Sequence, residues 1–414
     1  MKKVFLVYKG KEYTYEMLLN DINSKGDYRT LIYAENNEPY QIFLSIIHSL
    51  INNYPVELID GDFSNKEIAN LGINKELFLK SKVEKKHNVN SFNKLLNYVL
   101  LNQDWTLTLY TSGTTGKPKK VEHNLETLTR NVKLDDRFKS DIWAFAYNPT
   151  HMAGLQVFFQ AFLNLNTIIY AFDGEQKYLS ELIKSYKITN ISATSTYYRN
   201  VLPFLKGNTY ESIKRVTFGG EKYDSSIEET IKTIFPNAKI RNIYASTEAG
   251  SLFVAKGDIF EIPSHLKKYI KINDSNELLI HQSLLGFSDT LILQSEWYKT
   301  GDLVEVVSQS QFRFLSRESD IINVGGYKVN SVDVENILIN VPGVIDLLVK
   351  SKENSVTGQI LVLDVVIDEN FNEKELKKAI KKYAAEHLQK WKIPRIINFV
   401  DDIPQTRTGK KVRK

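Results

Sequence analysis

Residues Tyr110–Lys120 read Y-T-S-G-T-T-G-K-P-K-K, and this stretch decides how the rest of the chain is interpreted. It follows an apolar-alternating run, Trp105, Leu107 and Leu109, which predicts a strand leading into a loop. The loop offers hydroxyls, flexible glycines with exposed backbone N–H groups, and lysines, which together suit a polyphosphate. The residues predicted to bind it are Thr111, Ser112, Gly113, Thr114, Thr115, Gly116 and Lys117.

The stretch differs from a Walker loop. In a Walker loop four residues separate the two glycines, and the lysine is followed by Ser or Thr. Here two residues separate Gly113 from Gly116, and Pro118 follows Lys117. Pro118 has no N–H to donate and stiffens the exit of the loop. The alternative interpretation is a lysine-rich surface turn.

Composition places the chain among ordinary globular proteins with two or more domains, since it has 414 residues, 42% of them hydrophobic and 25% charged. The absence of cysteine excludes disulfides, Cys-metal sites and a thiol nucleophile, and it fits a cytoplasmic location. No apolar run approaches the ~20 residues of a membrane span. The net charge of +5 is spread thinly along the chain, which argues against nucleic-acid binding.

Beyond the loop, short apolar runs alternate with amphipathic stretches as far as about residue 316. This alternation predicts an α/β fold, with sheets flanked by helices. In the small domain that follows, apolar residues at helical spacing predict a helix over Glu373–Trp391. In such folds ligands bind at the carboxyl ends of the strands. The polar motifs described below mostly follow an apolar run, so we expect them to lie at that edge.

The Tyr110–Lys120 stretch resembles the phosphate-binding signature of the acyl-adenylate-forming (AMP-binding) superfamily, which includes acyl- and aryl-CoA ligases. The resemblance implies a large N-terminal adenylation domain of several subdomains, residues 1–316, and a small mobile α/β C-terminal domain, residues 317–414. Residues 1–104 resemble a shortened form of the family's front subdomain, in which Lys11–Asp21 resembles the strand-then-helix opening. Since that region helps to wall the acyl pocket in the family, a smaller or more open pocket is expected.

Two segments resemble parts of the family site that surround the acid and the adenine. His151, with Gly154, resembles the segment in which an aromatic residue or His lines the acyl pocket. Gly219, Gly220 and Glu221 resemble the adenine-flanking turn, where glycine permits close backbone approach. The structural alternatives are a histidine satisfied at a strand end and a plain turn. The Asp with which peptide-synthetase relatives hold an amino group has no counterpart here, which disfavours an amino-acid substrate.

The segment N-I-Y-A-S-T-E-A-G, residues 242–250, resembles the family's Y-G-x-T-E motif. The resemblance implies that Tyr244 stacks on adenine, with Ala245 and Ser246 beside the nucleotide. Thr247 would bind phosphate, and Glu248 would act as a hard oxygen ligand of Mg²⁺. Ala245 replaces the usual Gly of the motif. A strand end followed by a capped helix is the structural alternative.

Motifs near the domain boundary complete the resemblance. Asp302, in W-Y-K-T-G-D-L, would accept hydrogen bonds from the ribose hydroxyls, and Arg317 would contact ribose and phosphate. The hinge position is Ser319 here, where the family commonly has Asp or Lys. Gly325, Gly326 and Lys328 lie in a segment that resembles the family's glycine-rich strand, which lines the pantetheine tunnel. They are therefore also predicted to bind the nucleotide or the thiol substrate.

The segment D-I-P-Q-T-R-T-G-K-K-V, residues 402–412, resembles the family's P-x-T-x-x-G-K-I/V motif, one residue tighter between Thr and Gly. Lys410 is therefore the candidate catalytic lysine, with Glu248 and His151 as the other candidate catalytic residues. The alternative for Lys410 is one more residue of a basic tail.

The resemblance implies an AMP-forming acid–thiol ligase that uses ATP, Mg²⁺ and coenzyme A. A small-molecule carboxylic acid would first become an acyl-adenylate and then a thioester, with the small domain rotating about Ser319 between the two steps. A separate pantetheinyl carrier protein is the alternative acceptor. A non-catalytic ATP- or acyl-binding relative is the alternative of another class. The positions around His151–Phe162 and Ser192–Tyr198, which the resemblance implies line the acid pocket, are apolar, aromatic and hydroxylated, and Arg199 is the obvious fixed charge beside them. This composition favours an aryl or medium-chain acid. The acid itself, the pathway and the oligomeric state, a homodimer included, are left open by the sequence.

Overall fold

A computed structural model describes residues 3–24, 26–34, 38–61, 63–102, 104–111, 119–172, 176–289, 291, 293–355, 358–404 and 411–412. The chain divides into two compact units, Met1–Ile270 with Ile280–Tyr298, and Lys271–Leu279 with Lys299–Lys414. The division predicted between residues 316 and 317 stays a prediction.

The helices in the described residues begin at the places that local chemistry favours. Thr14 caps the first helix by accepting a hydrogen bond from the Met17 N–H, and Pro39 occupies the first turn of the second. The helices are α1 Tyr15–Asn23, α2 Pro39–Asn52, α3 Asn65–Asn70, α4 Lys75–Lys80, α5 Phe92–Leu101, α6 Leu125–Thr129, α7 Met152–Leu163, α8 Leu179–Tyr186, α9 Ser195–Leu205, α10 Glu228–Ile234, α11 Ser331–Leu338 and α12 Glu373–His387.

The strands of the described residues alternate with these helices, as predicted, over most of the first unit. They are β1 Val4–Tyr8, β2 Lys11–Thr14, β3 Leu31–Tyr33, β4 Val56–Ile59, β5 Thr106–Thr111, β6 Lys119–Asn124, β7 Ile142–Phe145, β8 Thr167–Tyr170, β9 Asn190–Ala193, β10 Arg215–Gly219, β11 Lys239–Ser246, β12 Gly250–Ala255, β13 Ile259–Glu261, β14 Ile270–Ile272, β15 Glu277–His281, β16 Leu293–Gln294, β17 Trp297–Ser308, β18 Gln311–Arg317, β19 Ile321–Val324, β20 Tyr327–Asn330, β21 Val344–Asn354, β22 Gly358–Ile367 and β23 Ile396–Phe399.

The first unit contains a central sheet with strand order β12-β11-β10-β9-β7-β8-β1-β2. The six strands from β11 to β1 in this order pair in parallel, and the outermost strands β12 and β2 pair antiparallel. A second sheet, β3-β4-β5-β6, carries the strand that leads into the predicted phosphate loop. β5 and β6 pair antiparallel, with Thr111 opposite Lys119.

Two hydrophobic cores lie on the two faces of the central sheet. Along β7, Trp143 and Phe145 pack into the core that also contains α2 and α7 residues, while Ala144 packs into the core of α8 and α9 residues. This is the period-two alternation of a strand whose two faces are both buried. The continuous apolar runs in the sequence follow from this double burial.

The second unit has a sheet of order β20-β19-β22-β21, with β23 added beside β22, and its core includes residues of α11 and α12. α12 ends at His387, before the predicted end at Trp391, because Leu388 takes an extended conformation. Gly325 and Gly326 form the turn between β19 and β20 instead of part of a strand. Both have positive φ, +59° and +87°, as a two-residue hairpin turn requires.

No helix within the described ranges has both the length and the apolar character that crossing a bilayer requires.

Candidate active site

The candidate site is formed at the carboxyl ends of four parallel strands of the central sheet. β7, β9, β10 and β11 are neighbours in the sheet and point the same way. The segments that follow them therefore meet at one edge, the usual ligand position in such sheets. The structure thus brings together three of the predicted segments, which contain His151, Gly219–Glu221 and Thr247–Glu248.

The glycine turn after β10 is packed closely against β7 and α9. The Tyr147 hydroxyl donates to the Gly219 carbonyl at 3.3 Å, and burial raises the pKa of Tyr147, so this tyrosine remains a neutral donor. A Cβ on Gly219 would lie 3.3 Å from the Tyr147 hydroxyl, and Gly220 has φ +80°. The Glu221 carboxylate accepts from the Thr196 N–H at 2.9 Å, in the first turn of α9. Glu221 therefore has a structural role at this helix end.

Tyr244 is buried at the end of β11, with its ring 5.5 Å from that of Phe253 and 6.2 Å from that of Phe260. Its predicted stacking on adenine stays a prediction. The next residues, Ala245, Ser246 and Thr247, are half-buried and therefore partly accessible to a ligand. The Ser246 hydroxyl accepts from the Ala249 N–H at 3.1 Å, which shapes the turn after the strand.

Glu248 is the acidic residue of this edge that fits a cation. It is half-buried, and among the residues that the structure describes its carboxylate makes no hydrogen bond or ion pair. An unpaired carboxylate beside a predicted triphosphate site is a suitable hard ligand for Mg²⁺. The described ranges contain no group of three or more Asp, Glu, His or Cys residues that could hold a metal. The predicted role of Glu248 as a magnesium ligand stays a prediction.

His151 lies directly before α7 and is paired with Asp60, a residue that the sequence analysis missed. The His151 Nε2 atom is 2.6 Å from Asp60 Oδ2, and the carboxyl side chain of Asp60 is 6% exposed. Asn148 donates to the other carboxylate oxygen at 3.4 Å. Asp60 directly follows β4, so its position at the carboxyl end of an apolar strand was the available signal.

Replacing Asp60 with asparagine is expected to raise KM for the acid substrate about tenfold, by analogy with the lower end of the effect of removing a carboxylate that orients a metal-binding histidine. The measurement is KM for acid and for ATP in a pyrophosphate-release assay. Asp141→Asn is the matched control, since Asp141 is also buried and paired, with Arg215 at 2.5 Å, but it lies at the opposite end of β7. Equal increases in KM for the acid in both variants would contradict a specific role of Asp60.

The predicted ribose ligand Asp302 is placed within the second unit, on β17. It is buried, and Arg317 Nε lies 3.0 Å from its Oδ1 atom, so the structure brings these two predicted residues together. The preceding Gly301 has φ +71°, and its N–H donates to the Glu277 carboxylate at 3.1 Å. Lys328 is exposed on β20.

Two predicted elements lie outside the described residues. These are Ser112–Lys117 of the predicted phosphate loop, together with the side chain of Thr111, and the candidate catalytic lysine, Lys410. The residues that flank the latter are described: the Val412 N–H donates to the Pro404 carbonyl at 2.8 Å. Lys411 is not a second candidate, because its ammonium group is bound to Asp346 and to the Leu347 carbonyl, each at 2.5 Å.

Comparisons with known proteins show which family the chain matches. The family model of the AMP-binding enzyme matches residues 65–271, and that of the AMP-binding enzyme C-terminal domain matches residues 333–410. A 2-succinylbenzoate–CoA ligase of Listeria monocytogenes serotype 4b (strain F2365) is 25% identical, with 99% of this chain and 95% of the relative covered. One of Staphylococcus aureus (strain MRSA252) is 26% identical, with 77% of this chain and 68% of the relative covered.

Solved structures share the fold at low sequence identity. The o-succinylbenzoate CoA synthetase of Bacillus subtilis, in complex with its acyl-adenylate intermediate, has a TM-score of 0.73 at 19% identity, over 100% of this chain and 94% of that one. An anthranilate CoA ligase in complex with anthranoyl-AMP has a TM-score of 0.74 at 17% identity, over 99% and 92%. The predicted fold class is confirmed. With both family domains matched in order, the chain belongs to the AMP-binding enzymes.

Proposed function

We propose that this chain activates a carboxylic acid with MgATP and transfers the acyl group to coenzyme A, and that the acid is 2-succinylbenzoate. The observation that carries the proposal is the likeness to 2-succinylbenzoate–CoA ligases along 99% of the chain. The free carboxylate of Glu248 at the strand edge supports the nucleotide part of the proposal.

In the first step a carboxylate oxygen of the acid attacks the α-phosphorus of ATP. A mixed anhydride forms, the bond from the α-phosphorus to the bridging oxygen breaks, and pyrophosphate leaves. Negative charge is carried by the attacking oxygen, the phosphoryl oxygens and the leaving group, so positioned cations and hydrogen-bond donors supply most of the catalysis. No side-chain nucleophile is needed.

The residues proposed for this step would contact the phosphates, the magnesium ion or the acid. Thr247 would donate to a phosphate oxygen, and Glu248 would hold the magnesium ion of MgATP. Lys410 would contact the acid carboxylate and the α-phosphate. Ser112–Lys117 would hold the leaving pyrophosphate through backbone N–H groups and hydroxyls. Each assignment is a proposal that rests on motif order together with, for Thr247 and Glu248, their place at the strand edge.

In the second step the thiol sulfur of coenzyme A attacks the acyl carbon. A thioester forms, the carbon–oxygen bond to AMP breaks, and the thiol proton goes to solvent. The exposed Gly325–Gly326 turn and Lys328 are proposed to contact the pantetheine arm. Ser319, the proposed hinge, lies in a short 3-10 turn, Glu318–Asp320, between β18 and β19.

The charges near the proposed acid site are largely paired within the described residues. Arg199 appeared in the sequence as a fixed positive charge, but its guanidinium donates to Asp224 at 2.7 Å and to Thr196 at 3.0 Å. His151 donates to Asp60 and stands at the start of the apolar helix α7. This pairing supports an acid held mainly by apolar contacts, as the proposed aromatic substrate would be.

The test is turnover of the purified full chain with MgATP and a panel of 2-succinylbenzoate, benzoate, octanoate and phenylalanine, with and without coenzyme A. Acyl-AMP and acyl-CoA are identified by mass spectrometry. We expect 2-succinylbenzoyl-CoA to form, with kcat/KM about 100-fold or more above that for benzoate, since an unmatched polar group costs at least that factor.

Other outcomes would overturn defined parts of the proposal. Acyl-CoA formed from another acid only would overturn the substrate. Acyl-AMP that accumulates despite coenzyme A would favour a carrier protein as acceptor. Neither product from any acid, together with retained nucleotide binding, would favour the non-catalytic alternative.

A further inference from the structure

The turn that carries Thr247 and Glu248 is held mainly through its backbone, with one further contact from the Ser246 hydroxyl, which accepts from the Ala249 N–H. Thr247, Glu248 and Ala249 form a three-residue connection between the antiparallel strands β11 and β12, with Ser246 opposite Gly250. Gly250 has φ +66°, and a Cβ there would lie 3.0 Å from the Thr127 carbonyl oxygen. The side chains of Thr247 and Glu248 are thereby left for other partners.

Each of the three carbonyls of this turn accepts a hydrogen bond from a distant segment. His123 Nε2 lies 2.7 Å from the Thr247 carbonyl oxygen, and the Gly286 N–H donates to the Glu248 carbonyl at 2.7 Å. The Arg130 guanidinium donates to the Ala249 carbonyl at 2.9 Å. The second nitrogen of the Arg130 fork donates to the Leu284 carbonyl at 3.0 Å. The turn is therefore restrained residue by residue, from β6, from the end of α6 and from residues 284–286.

His123 has the features of a fixed donor. It is fully buried, and burial lowers its pKa to about 4, so the ring is neutral at physiological pH. A carbonyl only accepts, so the proton is on Nε2. Among the described residues Nδ1 has no hydrogen-bond partner. A Cβ on Gly286 would lie 2.5 Å from the His123 ring, so Gly286 provides the space for it.

Because Nδ1 has no partner among the described residues, the role of His123 lies in the hydrogen bond that Nε2 donates to the Thr247 carbonyl. A buried polar atom without a partner destabilises the folded state, and an apolar residue would avoid that cost. His123 also lies on β6, the strand that follows the predicted phosphate loop. One short strand therefore follows the proposed pyrophosphate-binding residues and also holds the turn that presents the proposed phosphate and magnesium ligands.

We propose that His123 and Arg130 are positioning residues for MgATP, which fix the Thr247–Glu248 turn relative to β6. This inference rests on the proposed nucleotide site but not on the identity of the acid. Neither side chain would touch the nucleotide, since both act through backbone carbonyls. The expected consequence is a larger loss of affinity for MgATP than for metal-free ATP, because the magnesium contact of Glu248 and the phosphate contact of Thr247 are both displaced.

The test compares His123→Leu with His123→Gln by titration calorimetry, using MgATP and ATP with EDTA as the two ligands. Leucine fills the space without a donor, whereas the glutamine amide can reach the position of Nε2. We expect His123→Leu to weaken MgATP binding about tenfold, the lower end for loss of a group that orients a metal ligand. Affinity for metal-free ATP should fall less than affinity for MgATP, because without magnesium only the phosphate contact of Thr247 is displaced, and His123→Gln should stay within about threefold of wild type.

His48→Leu is the matched control. His48 is also buried, and burial likewise lowers its pKa to about 4, but its Nε2 atom contacts Asn52 within α2. His48→Leu should leave the ratio of MgATP to metal-free ATP affinity unchanged, whatever its effect on thermal stability. Arg130→Lys, which cannot reproduce the two-pronged contact, is a second variant if His123→Leu does not fold.

An unchanged ratio of MgATP to metal-free ATP affinity in His123→Leu or, where that variant does not fold, in Arg130→Lys would overturn the inference. Equal weakening of MgATP binding and of metal-free ATP binding would do the same. So would an equal loss of MgATP affinity in His123→Leu and His123→Gln, since either result points to general structural damage. Because binding is measured without any acid, failure of the proposed 2-succinylbenzoate activity would be seen separately. Wild-type protein that binds no MgATP would overturn both proposals.

Discussion

Replacing Lys410 with alanine is expected to lower the rate of acyl-adenylate formation by about 10²–10³-fold, the usual effect of removing one positioned group that stabilises transition-state charge. Thioester formation from a supplied acyl-adenylate should be nearly unchanged, because the phosphoryl transfer is then already complete. The two half-reactions are measured separately, by pyrophosphate release in the absence of coenzyme A and by acyl-CoA formation from synthetic acyl-AMP.

Lys382→Ala is the matched control for this variant. Lys382 is exposed on α12, so its removal also takes one positive charge from the second unit, and neither half-reaction should change. Lys411 would be a poor control because its ion pair with Asp346 is structural. If Lys410→Ala slowed both half-reactions equally, the lysine would not be specific to adenylation. If it slowed neither, the motif match at the chain end would be wrong.

Replacing Gly154 with alanine is expected to destabilise the protein by about 3 kcal/mol, at the upper end for overpacking in a well-packed interior. Gly154 lies in the first turn of α7, and a Cβ there would overlap the backbone carbonyl oxygen of Asn148. A carbonyl within a tight turn has no rotamer to change, so the backbone must move. The same carbonyl accepts the His151 N–H at 3.2 Å, so the histidine should be displaced as well.

The measurements for Gly154→Ala are urea unfolding followed by tryptophan fluorescence and KM for the acid. Ala153→Gly is the control at the neighbouring position, where helix propensity and the packing of one partly buried methyl group change without any overlap, at a cost of about 1 kcal/mol. A Gly154→Ala protein with wild-type stability would show that the turn before α7 yields easily. A destabilised Gly154→Ala protein with wild-type KM for the acid would show that the packing of α7 can change without displacing His151.

Local pattern was sufficient for most of the secondary structure. The prediction of a strand from Trp105, Leu107 and Leu109 is confirmed by β5, and the predicted strand-then-helix opening is confirmed by β2 and α1. These elements have a clear period or a capping residue within a few positions. The end of α12 was predicted too late because the apolar period continues through Leu388 and Trp391, although the backbone has already left the helix.

The candidate site was only partly accessible from the sequence. The motif order placed His151, Gly219–Glu221 and Thr247–Glu248 at strand ends, and parallel pairing of the strands brings those ends together. Asp60 and His123 were not found, since each is an ordinary polar residue beside or within a short strand. Their partners are far away in the chain, 91 residues for the Asp60–His151 contact and 124 for the His123–Thr247 contact.

By itself the sequence determined the α/β class, the order of the motifs and the family, because these depend on local periodicity and on residue types at fixed spacing. Only the tertiary structure decided which side chains are already engaged. It paired Arg199 with Asp224, buried Tyr244 against Phe253, and left the Glu248 carboxylate without a partner among the described residues. The physical reason is that such contacts depend on strand order and register, which bring together residues that no local pattern connects.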